Sequence, residues 1–493
     1  MLKHRFTVCR ARILLPLAEP DRTLRIRDGY VLAEGAILRE VGPYTPEVGT
    51  RLLRTLGREL HVLGRLQHQP ETIPCLNGVL LPAFVKAHGH DHEQPVIGVA
   101  KDEPLTKWLD RAINPFAGFM HARNAQLSEE LGCAPHFAAF AAARFNDIHY
   151  GITACMVHHC NYNKDYFEEI ARVNEVAGTT MIVAIGSQDR HYDPRILDEP
   201  EQAIGRLERA SQLEGLERTS FCPGPDQLFS NSRELLVPLK EWARCHGTLF
   251  HVHSSEEPET SRWFREEIEP GLTPVEYAEG IGILDVGTVL AHQVNCGPRD
   301  VEILARHHVQ VVHNPLANAI LGSGMPPLLG MIAAGIPVAI STDGSGSADN
   351  QNILAAARLA SQYQKALHQD ATVLPAQQLL EMITSVPSRM LRLNQGELKP
   401  GRAADWIVID LDRPNVTPTR IDNVVENLIW AADGSEVDTV VAGGRVLKEK
   451  GALMPFSDGT TAQLIMANVQ LLSERFIEYL RDAPELRGTG ANR

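Results

Sequence analysis

From about Leu80 to Leu393 the chain repeats one pattern eight times, a short apolar run followed by a stretch with helical spacing. The runs are VLLPAFVKAHGH, ITACMVHH, TTMIVAIGS, RTSFCPGP, GTLFHVHSS, GTVLAHQV, VQVVHNP and IPVAISTDG. Apolar runs of this length, alternating with helices, suit parallel strands covered on both faces and joined by crossovers. Eight units predict a closed (β/α)8 barrel of TIM type, which takes about 250 residues as one body. Length alone leaves this open, since 493 residues also suit three domains of about 150 each.

Outside the repeat the pattern is different. Before it come short strand-like pieces and turns, RFTVCRARILL, TLRIR, an Asp28-Gly29 turn, YVLAEGAILREVG and LHVLG. After it strand-like runs return in GELKPGRAADWIVIDL and VDTVVAGGRVLKEKG, and helical spacing then extends to Tyr479. The expected organisation is α/β. Residues 1–80 are the first part of a small β domain, 81–394 the barrel, and 395–493 the rest of the β domain plus a terminal helix. The two ends are expected to pack as one small β-sandwich. The helical segment from DEPLTKWLDRAINPF to Asn146 is expected to carry a lid over the barrel mouth.

Composition narrows the partners. Apolar residues at 44% and charged residues at 22% are globular values. With a net charge of −14 and no basic tract, nucleic acid and anionic membrane are poor partners, and a small-molecule substrate is expected. The first apolar run is too short for a secretory signal, and no run reaches a membrane span. Eight cysteines lie scattered without a CxxC pair, which argues against a disulfide framework or zinc ribbon and for the reducing cytoplasm. A homo-oligomer is expected.

Histidine placement carries the chemistry. Side chains two apart on a strand share a face, so His88 and His90 can both serve a barrel interior at the strand end where active sites form. An isolated HxH is weak, and most are surface or core polarity. Here the fifth run ends in His251, His253 and Glu256, the sixth in His292 and the eighth in Asp343, so several strand ends carry metal-ligand residue types.

On these residues the chain resembles the amidohydrolase superfamily, in the branch of S-adenosylhomocysteine deaminase, guanine deaminase and the triazine hydrolases. The resemblance covers LLPAFVKAHGH, PLTKWL, FHVHSSEE, LAHQVN, VVHNPLANAILGSGMPPL, ISTDGSGSADNQNIL and GELKPGRAADWIVID. It implies metal ligands at His88, His90, His253 and Asp343, a proton shuttle at Glu256 and a catalytic histidine at His292, with Asp343 also taking part in catalysis. It further implies one divalent metal per chain, zinc with Fe2+ as the alternative. The bridging lysine that two-metal members carry at the end of strand four is missing from RTSFCPGPDQL. The implied reaction is hydrolytic deamination of a nitrogen heterocycle such as a purine, pterin, pyrimidine or triazine, with release of ammonia. The same machinery acting on an amide, cyclic amide or carbon-halogen bond is the alternative. A non-catalytic scaffold predicts lost ligands, and all six positions are intact.

Departures from the family pattern fall at Ala83, Lys86, Asp91, His92 and Glu93. Lys86 is expected on the inward face with His88 and His90, in one layer with a neutral His251, and paired with a carboxylate. His251 is expected beneath the metal, and His92, His158 and His159 beside the ligands or in loops. Glu257 and Glu259 are expected as solvated helix charges, and Asn314 and Asn318 as loop-holding residues. Trp108 and Phe116 are expected in the lid core, and Cys296 as inert packing.

Overall fold

The computed structural model describes residues 4–64 and 72–482; residues 1–3, 65–71 and 483–493, which belong to the expected terminal segments, lie outside the described residues. The amino-terminal segment supplies strands β1 (Phe6–Leu14), β2 (Ile26–Glu34), β3 (Ile37–Pro43), β4 (Leu60–Val62) and β5 (Leu76–Pro82). Eight further strands follow: β6 (Phe84–Lys86), β7 (Ile152–His159), β8 (Thr180–Ser187), β9 (Thr219–Pro225), β10 (Phe250–Ser254), β11 (Thr288–His292), β12 (Gln310–His313) and β13 (Val338–Ile340). The chain ends with β14 (Trp406–Asp410), β15 (Val437–Ala442), β16 (Arg445–Glu449), β17 (Ala452–Leu453) and a helix, Ala462–Asp482.

Strands β6 to β13 match the eight expected runs. They form two four-stranded parallel sheets, β6-β7-β8-β9 and β10-β11-β12-β13, linked by a parallel bridge between Gln227 and His253. Every residue of β7 is buried, as a strand covered by helices on one face and core on the other requires. One apolar cluster draws on all eight strands. It takes Val85, Ala154, Ala184, Cys222, Val289, Val312 and Ala339 from seven of them and Leu249 from the foot of β10. The opposite faces pack on outer helices, where Val157, Phe140 and Leu239 share a larger core. The architecture is TIM-barrel-like, and among the described residues no backbone ladder joins β13 to β6.

The first run is not one strand. Pro82 ends β5, which lies between β1 and β14, while β6 starts afresh on β7. Proline donates no hydrogen bond, so the chain leaves one sheet there and enters the other. Both chain ends share a nine-stranded sheet of order β17-β16-β15-β14-β5-β1-β2-β3, with β4 on β1. Its core includes Val31, Leu80, Trp406 and Val441, drawn from both ends of the sequence. The amino-terminal segment also contains a helix, Pro46–Leu56, where strands and turns were expected. Thr45 caps it by accepting from Val48 N–H, Pro46 opens it, and Leu52 packs on Val8, Tyr30 and Leu60.

The segment after β6 is helical as expected. It runs through Leu105–Trp108, a π turn at Leu109–Ile113, Asn114–Ala122, Asn124–Leu131 and Pro135–His149. Phe116 is buried between this segment and the terminal helix, 5.1 Å from Phe476 between ring centres. Among the described residues no helix is long and apolar enough to cross a membrane.

Candidate active site

The six expected residues converge at the carboxyl ends of the strands. His88 and His90 follow β6, His253 lies in β10 with Glu256 just beyond it, His292 closes β11, and Asp343 lies three residues past β13. All six are buried. Ligand atoms of His88, His90 and His253 lie within 4.8 Å of one another, as do those of His88, His292 and Asp343. Asp343 Oδ1 is 3.3 Å from His88 Nε2 and 3.5 Å from His90 Nε2. His292 and Asp343 take φ of 75° and 69°, a left-handed backbone that is uncommon for side chains other than glycine and that clusters at functional sites.

Hydrogen-bond partners fix the tautomers of the three imidazoles. A backbone carbonyl can only accept, so His90 Nδ1, 3.0 Å from the His158 carbonyl, and His253 Nδ1, 2.6 Å from the Asp226 carbonyl, carry the protons. His88 is fixed through a relay. His251 Nδ1 donates to the Val289 carbonyl at 2.9 Å, which leaves His251 Nε2 to accept from His88 Nδ1 at 2.7 Å. Each Nε2 therefore presents a lone pair to the same point, and those of His90 and His253 stand 3.2 Å apart with no proton to share. His88 Nε2 is buried without a hydrogen-bond partner. Burial, then the neighbouring imidazoles, hold His88 well below the usual histidine range. Burial likewise keeps His251 neutral, with its pKa lowered to about 3. Three facing lone pairs beside a carboxylate repel one another unless a cation joins them. The donor set of three neutral imidazoles and one carboxylate suits a divalent ion such as zinc.

The acid-base groups lie to one side. His292 Nδ1 donates to Asn318 Oδ1 at 2.8 Å, so its Nε2 is free to accept, 3.5 Å from Glu256 Oε2 and 3.8 Å from Asp343 Oδ2. Burial raises the Glu256 pKa to about 8, with the nearby Asp343 charge adding to the rise, so this carboxyl carries a proton at neutral pH. Gln227 Nε2 donates to the same Oε2 at 3.4 Å. The cavity over these groups is lined by Leu105, Trp108, Leu109, Ile113 and Leu321 on its apolar side.

Several neighbours differ from expectation. Lys86 is paired with a carboxylate, Asp147, at 2.9 Å, but it does not share a layer with His251. Lys86 lies beside Cys155, on the strand face turned toward the helix Pro135–His149, whereas Val85 and Ala87 fill the interior. The strict alternation fails after Ala87. Glu257 is buried rather than solvated, with Oε2 lacking a hydrogen-bond partner, and burial lifts its pKa to about 7. Asn318 orients His292 rather than only holding its loop. Cys296 has its thiol pushed up by burial, which leaves it unreactive. Trp108 and His92 are buried and line the cavity, whereas Phe116 does not.

The sequence reading missed Cys160 and Asp226, which with His158 form further ligand-type groupings beside His90 and His253. Cys160 follows the HH pair closing β7, and Asp226 follows β9. Their strand-end positions were the available signal.

The profile of the amidohydrolase family matches residues 79–447. A 5'-deoxyadenosine deaminase from Methanothermobacter thermautotrophicus is 29% identical over 413 residues, covering 84% of this chain and 88% of that protein. A 5-methylthioadenosine/S-adenosylhomocysteine deaminase from Thermococcus kodakarensis is 30% identical over 375 residues, covering 76% of this chain and 84% of that protein. Among solved structures, an adenosine deaminase from Xanthomonas campestris with bound zinc superposes with a TM-score of 0.78 at 20% identity, covering 96% of this chain and 98% of that one. The profile match spans most of the chain and includes all six converging residues: the chain belongs to the amidohydrolase family.

Proposed function

We propose that this protein is a metal-dependent aminohydrolase that deaminates a nitrogen heterocycle and releases ammonia. One divalent ion, zinc, is held by His88, His90, His253 and Asp343. The observation that carries this reading is the set of three Nε2 lone pairs fixed toward one point beside Asp343. When bound, such an ion supplies the Lewis acidity that makes water a nucleophile near neutral pH.

The chain's own groups move the protons. His292 and Asp343 take the first proton of the attacking water as its oxygen bonds to the amine-bearing ring carbon. Glu256 gives its proton to the adjacent ring nitrogen, which preserves neutrality as aromaticity is lost. The hydroxyl proton then returns to Glu256 as the ring carbonyl forms, and the proton held by His292 and Asp343 leaves with the amine as ammonia. Asn318 holds His292 in the accepting tautomer throughout, and the lid residues Leu105 and Trp108 keep bulk water from the ring.

The relatives are named as deaminases of adenosine derivatives, which favours a 6-aminopurine nucleoside as substrate. Among the described residues no lysine or arginine lines the cavity, whereas Glu93 and Asp226 do, and this favours an uncharged ligand over a phosphorylated one. The scaffold proposed for this chemistry is a closed barrel over residues 81–394. Residues 1–80 and 395–493 form a sandwich beside it. The eight-strand interior cluster supports closure, and the pairing of Ile37 with Ala403 across the terminal sheet supports a sandwich. Cysteines without disulfides support a cytoplasmic location, and exposed Leu464 and Met466 on the terminal helix support a homo-oligomer.

The test is ammonia release, with the matching ultraviolet change, across adenosine, 5'-deoxyadenosine, methylthioadenosine, S-adenosylhomocysteine, guanine, pterins, pyrimidines and triazines, together with metal analysis. One zinc per chain and turnover on an aminated ring are expected. Two ions per chain at full activity, or activity only on amides or carbon-halogen bonds, would overturn the reading.

A further inference from the structure

Among the described residues two seams between the sheets lack a strand ladder; the β9–β10 seam carries the Gln227–His253 bridge, whereas the seam between β6 and β13 has no backbone bridge, and the proposed ligands stand on both sides of it. His88 and His90 follow β6, while Asp343 follows β13. Side chains bridge the seam instead of backbone. Ser341 Oγ accepts from His88 N–H at 3.3 Å and donates to the His88 carbonyl at 2.7 Å. Lys86 Nζ donates to Gln351 Oε1 at 3.0 Å, Thr342 Oγ1 donates to the same oxygen at 2.8 Å, and Gln351 Nε2 donates to the Asp343 carbonyl at 3.2 Å.

Lys86 also anchors the other side. Asp147 accepts from Lys86 through Oδ1 at 2.9 Å and from Arg144 through Oδ2 at 2.7 Å. Arg144 makes a two-pronged pair with Asp91, the residue after His90, at 2.6 and 2.7 Å. Lys86, Asp91, Arg144, Asp147 and Gln351 are all at least 98% buried. Two cations and two anions balance, so the network carries no net charge to offset that burial, and removing one member strands a charge. The fit is tight. A Cβ on Gly89, between the two histidines, would stand 2.9 Å from Lys86 Cε and 3.1 Å from the Asp343 carbonyl oxygen. The left-handed backbone at Asp343 needs such external restraint to persist.

We propose that Lys86 is a positioning residue which, through Gln351, holds Asp343 across the unpaired seam at the distance from His88 and His90 that metal binding requires. This inference rests on the metal site proposed above. The test is zinc affinity, measured by competition with a chromophoric chelator, for wild type, Lys86→Met, Lys86→Arg and Gln351→Leu. Thermal unfolding of the zinc-free forms is followed alongside. Gln351→Leu keeps all four charges, so it carries the test if Lys86→Met fails to fold. Both Lys86→Met and Gln351→Leu are expected to weaken zinc binding by about 10- to 100-fold, the usual effect of losing a group that orients a ligand. Lys86→Arg, which can still reach Gln351, is expected to recover part of the loss. Wild-type zinc affinity in Gln351→Leu, with only the unfolding temperature lowered, assigns the network to fold stability and overturns the proposal. Wild-type protein that binds no zinc overturns the metal site itself, so the two failures are distinguishable.

Discussion

Glu256 and His292 face each other at 3.5 Å but make different demands on the reaction. In the proposed reaction Glu256 starts protonated and His292 starts neutral. Glu256→Gln keeps the shape and the Gln227 contact but removes the transferable proton. His292→Asn removes the accepting nitrogen. Each variant is expected to retain one zinc per chain while turnover falls by about 10²-fold or more, as metal analysis and steady-state rates will report. Loss of zinc in either variant reassigns that residue as a ligand. The pH dependence follows from the same proton. With the Glu256 pKa lifted to about 8 by burial, activity falls as pH rises and the carboxyl ionises, and a bound cation moves that limb downward from there. The convergence of the proposed ligands was legible because HxH on a strand end puts two imidazoles on one site. The relay from Val289 through His251 to His88 was not, because it depends on which carbonyl the neighbouring strand presents. Lys86 was misplaced for a local reason, the loss of alternation after Ala87.

Among the elements, the lid meets the barrel at a buried carboxylate. Glu257, one residue past the proposed proton shuttle, lies buried in the loop after β10 next to Thr106 of the first lid helix. Its pKa rises from 4.5 to about 7 on folding, so folding favours the protonated form. The stability this group contributes is present below 4.5 and is lost as pH rises through about 7. Glu257→Gln, which keeps the shape but cannot ionise, escapes that loss. Its stability relative to wild type is therefore expected to increase between pH 5 and pH 8 in urea titrations, and a pH-independent difference rejects the lid contact as a buried acid. The sequence placed Glu257 in solvent because a run such as SSEE after a strand usually begins a solvated helix, and only the folded lid buries this one. The eight strands were legible because each begins in a short apolar run set off by helical spacing, although Pro82 splits the first run between two sheets. The helix Pro46–Leu56 was overlooked although Thr45, Pro46 and Glu47 are start signals, since the strand-like pieces around it set the expectation for the whole segment.

For the whole molecule, the two chain ends are one structural unit. Strand β5 lies between β1 and β14, and β14 pairs with it over Pro82 to Gly78, so the sheet that receives the first segment is completed by the last. Trp406, Ile407, Val408 and Ile409 of β14 are all at most 1% exposed. At about 1.5–3 kcal/mol for burying each large apolar side chain, these four alone contribute about 6–12 kcal/mol, comparable to the net stability of a typical domain. The terminal helix adds Phe476, which meets Phe116 of the lid segment edge to face. A chain ending at residue 394 therefore loses β14 to β17 and the lid's outer support. It also exposes the backbone edge of β5, an open template for aggregation. Such a truncated chain is expected to be insoluble or to unfold without a cooperative transition. Co-expression with residues 395–493 as a separate chain is expected to recover soluble, zinc-binding protein, because the missing strand can pair from another molecule as well as from its own. A soluble 1–394 fragment with wild-type zinc affinity and a sharp unfolding transition would show that the barrel stands alone, and the split terminal domain would then have no part in holding the site.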